Sequence, residues 1–228
     1  MMDLVYSERI ASGKDWATLV FVACFALIAI NRSVFETRFA EFIKLAVSDK
    51  YTKIYKDSGN MLSWFTISFF LIQVISFTFL LQFLLSYAGD HYENFPKVEK
   101  QDWVSFVQIF TLIGVFILSK YLIEKIIATS FNIEEFNELF NLHKVNYRTY
   151  IGLLLLPVNI FLFYNTSQHP VVIYIIIALI IAASIISYLV SLRIYQNLIL
   201  GKLFYFILYL CTLEIAPYYF MYYWFRKS

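Results

Sequence analysis

Residues 170–192 read PVVIYIIIALIIAASIISYLVSL and contain no charged side chain. One crossing of the hydrocarbon core by an α-helix uses about 20 apolar residues. A strand of a membrane β-barrel would alternate apolar and polar residues instead, and residues 175–183, IIIALIIAA, do not alternate. This stretch therefore predicts a membrane-spanning α-helix.

Similar charge-free blocks recur along the chain, and charged residues mark their ends because a charge at mid-bilayer costs roughly 2.5 to 3.5 kcal/mol. The block 149–192 is long enough for two crossings, and the run NTSQHP at residues 165–170 divides it, because Pro170 suits the first turn of a helix. We predict an all-α polytopic membrane bundle, a single integral membrane domain over residues 1–228. Its predicted spans are residues 16–31, 61–87, 103–123, 150–164, 170–192 and 203–225, about six transmembrane helices in all.

The composition supports this fold class. Hydrophobic residues make up 61% of the chain and charged residues 15%, whereas soluble domains carry about a quarter charged residues. The net charge of +2, without a basic cluster interleaved with aromatic residues, argues against a nucleic-acid partner. The lipid bilayer is therefore the first predicted partner.

The orientation follows from the placement of Lys and Arg, which accumulate in cytoplasmic loops. The connections after predicted spans one, three and five hold twelve of the eighteen basic residues. This bias predicts that those connections are cytoplasmic and that both termini lie on the other side of the membrane.

The first of these connections has an amphipathic pattern. Phe35, Phe39, Phe42 and Ile43 fall on one face of a helix, with charged residues elsewhere. The pattern predicts an interfacial helix that rests on the bilayer or on the bundle, and docking of a cytosolic partner is the alternative. A second amphipathic helix is predicted in the next cytoplasmic connection.

Glu214 is the acid that falls inside a predicted span, near the middle of the last one. An intramembrane carboxylate is a functional-site hypothesis by default. Pro217 has no N–H to donate to the helix, so it predicts a kink beside the acid and a free backbone acceptor. Glu214 therefore has two open interpretations, a structural hydrogen bond or a proton-linked or ligand-binding role.

Three polar residues are predicted at a similar depth: Gln73, Thr111 and Asn159, the last of them beside Pro157, a second kink position. Gathered around Glu214, they would form a binding site. Scattered through the bundle, they would be interhelical hydrogen bonds worth about 1 kcal/mol or less each.

Motifs for catalysis are missing from the sequence. The three histidines fall in connections, no H-E-x-x-H motif is present, and the six glycines are dispersed. We therefore predict no catalytic residues, no metal site and no cofactor.

The last block, FYFILYLCTLEIAP at residues 204–217, resembles the C-terminal signature of an uncharacterised family of multi-pass inner-membrane proteins from Bacteroidota, a domain of unknown function. The Asp15-Trp16 pair and LLLLP at residues 153–157 fit the layout of that family. The resemblance implies a bacterial inner (cytoplasmic) membrane location, and it implies no reaction.

These observations favour a non-enzymatic integral membrane subunit that binds or stabilises another cell-envelope protein or complex. The alternative is a small proton-coupled transporter or channel that uses Glu214. A third interpretation, an intramembrane enzyme acting on lipid-linked substrates, lacks a visible nucleophile or metal cluster.

Overall fold

The computed structural model describes residues 15–44, 64–91, 98–99, 101–130, 134–165, 170–194, 219 and 223. Within these residues the secondary structure is entirely helical, with no strand. The helices are α1 (Asp15–Val34), α2 (Glu36–Ile43), α3 (Trp64–His91), α4 (Trp103–Ser130), α5 (Glu134–Tyr164) and α6 (Pro170–Ile194).

Four stretches are long and apolar enough to cross a membrane: Asp15–Val34, Trp64–Gly89, Trp103–Ser130 and Lys144–Tyr164. The helix α6 contains a shorter apolar stretch, Ile173–Ile185. The predicted last span, 203–225, lies outside the described residues except for two helical positions, Tyr219 and Tyr223. The described part of the chain is thus all-helical, with four helices that suit a membrane protein, and the count of six spans stays a prediction.

The helices α4 and α5 extend beyond the spans predicted for them. The helix α4 continues seven residues past position 123, to Ser130, and α5 starts at Glu134 rather than near position 150. The charged residues in these extensions do not end the helices, and two of them, Glu124 of α4 and Lys144 of α5, form an ion pair with each other.

The helix α3 lies at the centre of the described bundle. Half of the residues in its most apolar stretch are buried, compared with 17% of those in α4 and 22% of those in α1. Its most extensive contacts are with α5. Successive long helices alternate in direction, so α3 and α5 run parallel to each other. We call the two ends of the bundle the Trp16 end, where α1 begins, and the Phe42 end, where α2 lies.

An aromatic cluster closes the Trp16 end. The ring of Trp16 packs against Phe79, Trp103, Phe106 and Phe163, with ring centroids 5.0–6.0 Å apart. Its indole N–H also donates to the carbonyl of Gln101, at 3.0 Å. The start of α1 is thereby fastened to α3, α4 and α5, since aromatic rings bury a large area in edge and offset contacts.

Candidate functional site in the seam between α3 and α5

The interface between α3 and α5 carries a row of buried polar side chains, which we call the polar seam. It comprises Gln73, Ser76 and Gln82 of α3 and Thr149 and Asn159 of α5, each more than nine-tenths buried. A polar group that loses contact with water needs a hydrogen-bond partner, and in a membrane no solvent can supply one. The partners of these side chains therefore decide whether the seam is structural or functional.

Gln73 and Thr149 bond directly across the interface. The Thr149 hydroxyl donates to Oε1 of Gln73 at 2.8 Å, in a fully buried contact. Gly152, one turn farther along α5, lies against the same residue: a Cβ added to Gly152 would be 2.9 Å from the Cα of Gln73. Only a glycine permits this close approach of the two helices.

Asn159 bonds to the backbone of α3. Its Nδ2 donates to the carbonyl of Ser76 at 2.7 Å, while its Oδ1 has no hydrogen-bond partner among the described residues. Pro157 lies two residues before it, exposed on the surface of α5, and α5 continues through it as one helix to Tyr164. Because Pro157 has no N–H, the carbonyl of Leu153 loses its usual donor there.

The seam ends in a contact with the start of α4. Nε2 of Gln82 donates to the carbonyls of Asp102, at 2.9 Å, and of Glu99, at 3.2 Å. Asp102 in turn caps α4: its carboxylate accepts from the N–H groups of Ser105 (2.9 Å) and Val104 (3.1 Å) and from the Ser105 hydroxyl (2.6 Å). The hydrogen bond from the Ser105 side chain, followed by those from the two backbone N–H groups, lowers the pKa of Asp102.

The roles of Gln82 and Asp102 were not predicted from the sequence. A signal existed for Asp102, because an Asp immediately before an apolar run is typical of an N-cap. No local pattern distinguishes Gln82 from other polar residues in a span, since its partners come from a connection about 20 residues away.

The predicted cluster around Glu214 is only partly described. Gln73 and Asn159 lie in the same interface, while Thr111 lies exposed on α4 and its hydroxyl donates to the carbonyl of Val107 on its own helix, at 2.8 Å. Glu214 and Pro217 lie outside the described residues. The structure therefore brings together two of the four predicted members and places the third elsewhere.

The residues predicted as interfacial divide between two environments. Phe39 and Phe42 are buried against Phe65 and Phe69 of α3, and Phe35 packs at the edge of the same cluster. Ile43 is 47% exposed. The apolar side of α2 is therefore largely occupied by the bundle itself.

A buried ion pair joins α4 to α5 near the Phe42 end. Nζ of Lys144 lies 3.3 Å from Oε1 of Glu124, and Glu124 is 4% exposed. Lys120, one turn before Glu124, is also buried. The pair connects two helices, so it can hold α4 against α5 at the point where their apolar stretches meet.

The seam is built from amides and hydroxyls, which position groups by hydrogen bonding. Its described members include no thiol, histidine or carboxylate. Among the residues that the structure describes, no group of three or more His, Cys, Asp or Glu side chains could hold a metal ion. The arrangement can align helices or bind a small hydrogen-bonding ligand.

A family model, "Domain of unknown function (DUF4271)", matches residues 17–225 of the chain. The chain belongs to the DUF4271 family. The polar seam, the ion pair between α4 and α5 and the undescribed Glu214 all lie within the matched range of this DUF4271 protein. No curated protein and no solved structure matches the chain. The function is therefore inferred from the physical chemistry of the site.

Proposed function

We propose that this DUF4271 protein is a non-enzymatic integral membrane subunit that binds or stabilises another protein of the cell envelope through α4. The observation that carries the proposal is the composition of one side of α4, which we call the outward face. It comprises Val104, Val107, Gln108, Thr111, Gly114, Val115, Leu118, Ser119 and Leu122, all exposed except the half-buried Gly114.

The outward face carries more polar groups than contact with lipid alone requires. Gln108, Thr111 and Ser119 interrupt its apolar residues, and each lies between Trp103 and Lys120 within a stretch apolar enough to span a membrane. In membrane bundles, Gln, Ser and Thr at a helix surface typically form hydrogen bonds to a neighbouring helix. The hydroxyl of Thr111 donates to its own helix, so Gln108 and Ser119 are the positions that favour contact with a transmembrane helix of another protein.

Gly114 supports the same interpretation. A Cβ added at Gly114 would have no heavy atom within 4 Å, so the internal packing of the described bundle does not require a glycine there. A glycine in a helix costs about 0.5–1 kcal/mol relative to alanine, whereas it permits close approach of a partner helix in a membrane. Gly114 and Gly152 thus differ: Gly152 serves contact between α3 and α5, and Gly114 is free to serve contact with a partner.

The interior supports a non-enzymatic role. In the polar seam, Thr149 and Asn159 donate to α3, and Gln82 connects α3 to the start of α4. Each of these hydrogen bonds holds one helix to another element. The described polar groups are thus used mainly for assembly.

The proposal is tested by purifying the protein in mild detergent from its native host. We expect one protein to co-purify in a fixed ratio with the wild type and to be lost at least tenfold in the Gly114→Leu variant. Gln108→Leu should weaken the same association. Gly152→Ala is the matched control, because it disturbs the α3–α5 interface and leaves the outward face intact.

Two outcomes of this purification count against the proposal. Equal recovery of the same partner with Gly114→Leu would contradict the proposal. So would a wild-type protein that purifies only as a monomer or as a homo-oligomer. The variant must also keep the melting temperature of the wild type, which the open space around Gly114 predicts.

A second candidate function is a small proton-coupled transporter or channel that uses Glu214. It is favoured by the burial of Gln73 and Asn159 in one interface, because transporter sites lie near mid-membrane and are built from polar side chains. In that case Glu214→Gln abolishes proton-coupled uptake in proteoliposomes while insertion and folding persist. Unchanged uptake by the variant would remove Glu214 from the mechanism.

We also propose that the protein resides in a bacterial inner membrane with both termini in the periplasm. The location follows from the resemblance of the last block, and the orientation is supported by the excess of Lys and Arg in the connections after predicted spans one, three and five. Two of these basic residues, Arg38 and Lys144, lie at the Phe42 end of the described bundle. Single cysteines at Lys44 and at Lys97 should react with a membrane-impermeant maleimide from opposite sides of the membrane. In intact spheroplasts, labelling at Lys97 alone fits the proposal, and labelling at Lys44 alone reverses the orientation.

A further inference from the structure

A small cavity lies between α3 and α5 beside the polar seam. Its volume is about 10 Å³, and it is lined by Phe79, Gln82, Phe83, Asn159, Leu162 and Phe163. A cavity of this size has room for about one water molecule. Its lining combines two amide side chains with apolar and aromatic walls.

The orientation of both amides is fixed by their donors. The NH₂ group of Gln82 faces two carbonyls, those of Asp102 and Glu99, and the NH₂ group of Asn159 faces the carbonyl of Ser76. Rotating either amide would place an oxygen against a carbonyl oxygen. Both Oε1 of Gln82 and Oδ1 of Asn159 are therefore held as acceptors.

These two oxygens are buried without a hydrogen-bond partner among the described residues. Gln82 is 1% exposed and Asn159 is 2% exposed. A buried acceptor without a donor destabilises a protein, and in a membrane protein the cost is greater because lipid offers no donor. The other described residues that line the cavity are three phenylalanines and a leucine, and their side chains have no N–H or O–H to donate.

We propose that this cavity is a binding site for one water molecule, which donates one hydrogen bond to Gln82 and one to Asn159. A neutral donor fits better than a monovalent cation, because no carboxylate is among the described residues that line the cavity, and an ion there would lack a compensating charge in a low-dielectric environment. Water has two O–H donors and matches two acceptors. The bound water completes a connection from Ser76 through Asn159 and Gln82 to the carbonyls before α4.

An experimental structure of the full chain in detergent or nanodisc, at a resolution that shows ordered water, tests the proposal. We expect a density peak about 2.7–3.2 Å from both amide oxygens. The peak should give no anomalous signal after potassium is replaced by rubidium. A rubidium signal at this position would show a cation site and overturn the proposal.

Two further outcomes also overturn it: a cavity without density, and a cavity filled by a side chain from residues 195–228, such as the carboxyl group of Glu214. Asn159→Leu removes one acceptor and fills space, so the peak should disappear. Ser76→Ala is the matched control, because it keeps the backbone carbonyl that holds Asn159, and the peak should remain. A peak that survives Asn159→Leu would show that the density does not depend on the two acceptors.

Discussion

Gly152 and Gly114 show how one residue type serves two purposes in this membrane protein. A Cβ at Gly152 would contact the backbone of Gln73 at 2.9 Å, whereas a Cβ at Gly114 would meet open space. The first glycine sets the distance between α3 and α5. The second has no internal contact to explain it.

We predict opposite effects when these glycines are replaced by alanine. Gly152→Ala forces α3 and α5 apart and should lower the free energy of unfolding by about 1–3 kcal/mol, the usual cost of overpacking. Gly114→Ala should leave stability unchanged or raise it by about 0.5–1 kcal/mol. Thermal unfolding in detergent, followed by far-ultraviolet circular dichroism, measures both, and an equal loss of stability in the two variants would contradict this account of the interface.

Asp102 should make stability depend on pH. Its hydrogen bonds to Ser105 and Val104 lower its pKa in the folded protein relative to the unfolded chain. The ionised cap therefore stabilises the fold above the unfolded-state pKa, and this stabilisation is lost as the pH falls through the lower folded-state pKa. We predict that the melting temperature of wild type exceeds that of Asp102→Asn at neutral pH.

This advantage should shrink as the pH falls below the ordinary pKa of an aspartate, about 3.9, and through the lower pKa that Asp102 has in the folded protein. A series of melting temperatures for the two proteins between about pH 7 and about pH 3 provides the check. A difference that stays constant over this range would mean that the charge of Asp102 has no part in capping α4.

At the scale of the helix, α4 and α5 extend beyond the charged residues at which the predicted spans end. The predicted spans end at charged residues, whereas α4 and α5 continue past these residues and pair Glu124 with Lys144 across their interface. Within α4, Glu124 lies one turn after Lys120, while its partner Lys144 belongs to α5. A partner on another helix cannot be seen from spacing within one helix.

The ion pair should contribute to the contact between α4 and α5. Removal of one member leaves the other charge buried, so Glu124→Gln and Lys144→Met should each cost about 3 kcal/mol, and the double variant should cost clearly less than their sum. A double-mutant cycle of unfolding free energies measures the coupling. Strictly additive losses would show that the pair does not hold the helices together.

The stability that α2 contributes should depend on the buried ring of Phe42 rather than on the exposed side chain of Ile43. Phe42 is 2% exposed and packs against Phe65, Phe69 and Tyr150, whereas Ile43 is 47% exposed. We predict that Phe42→Ala costs about 3–5 kcal/mol of stability, as for other large core residues. Ile43→Ala, the matched control, should change it by no more than about 0.5 kcal/mol. A greater loss with Ile43→Ala would place the interfacial face of α2 toward Ile43.

At the scale of the whole molecule, the fold class followed from charge-free blocks, because the bilayer penalises charge strongly enough to divide the chain. The positions of Gln73 and Asn159 in one interface needed the packing of α3 against α5. Thr111 was predicted at a similar depth but lies exposed on α4. Its position was missed because depth in the membrane does not determine which side of a helix a residue occupies. The role of Gln82 was not predicted because its hydrogen-bond partners lie in the connection before α4, and the periodicity of a span gives no information about that connection.

The same packing gives the molecule an interior whose hydrogen bonds join helices and an outward face on which polar side chains are exposed. The interior hydrogen bonds connect α3 to α5 and to the start of α4, and the outward face of α4 carries Gln108 and the open space at Gly114. The central claim is that this face binds a transmembrane helix of another protein.

A photoreactive amino acid introduced at Gln108 tests that claim most directly in native membranes. We expect one crosslinked product with a single other membrane protein, identified by mass spectrometry. The same amino acid at Ile109, which is 8% exposed and faces the core, should give no such product. A crosslink from Gln108 to residues 203–225 of its own chain, or to lipid alone, would contradict the account.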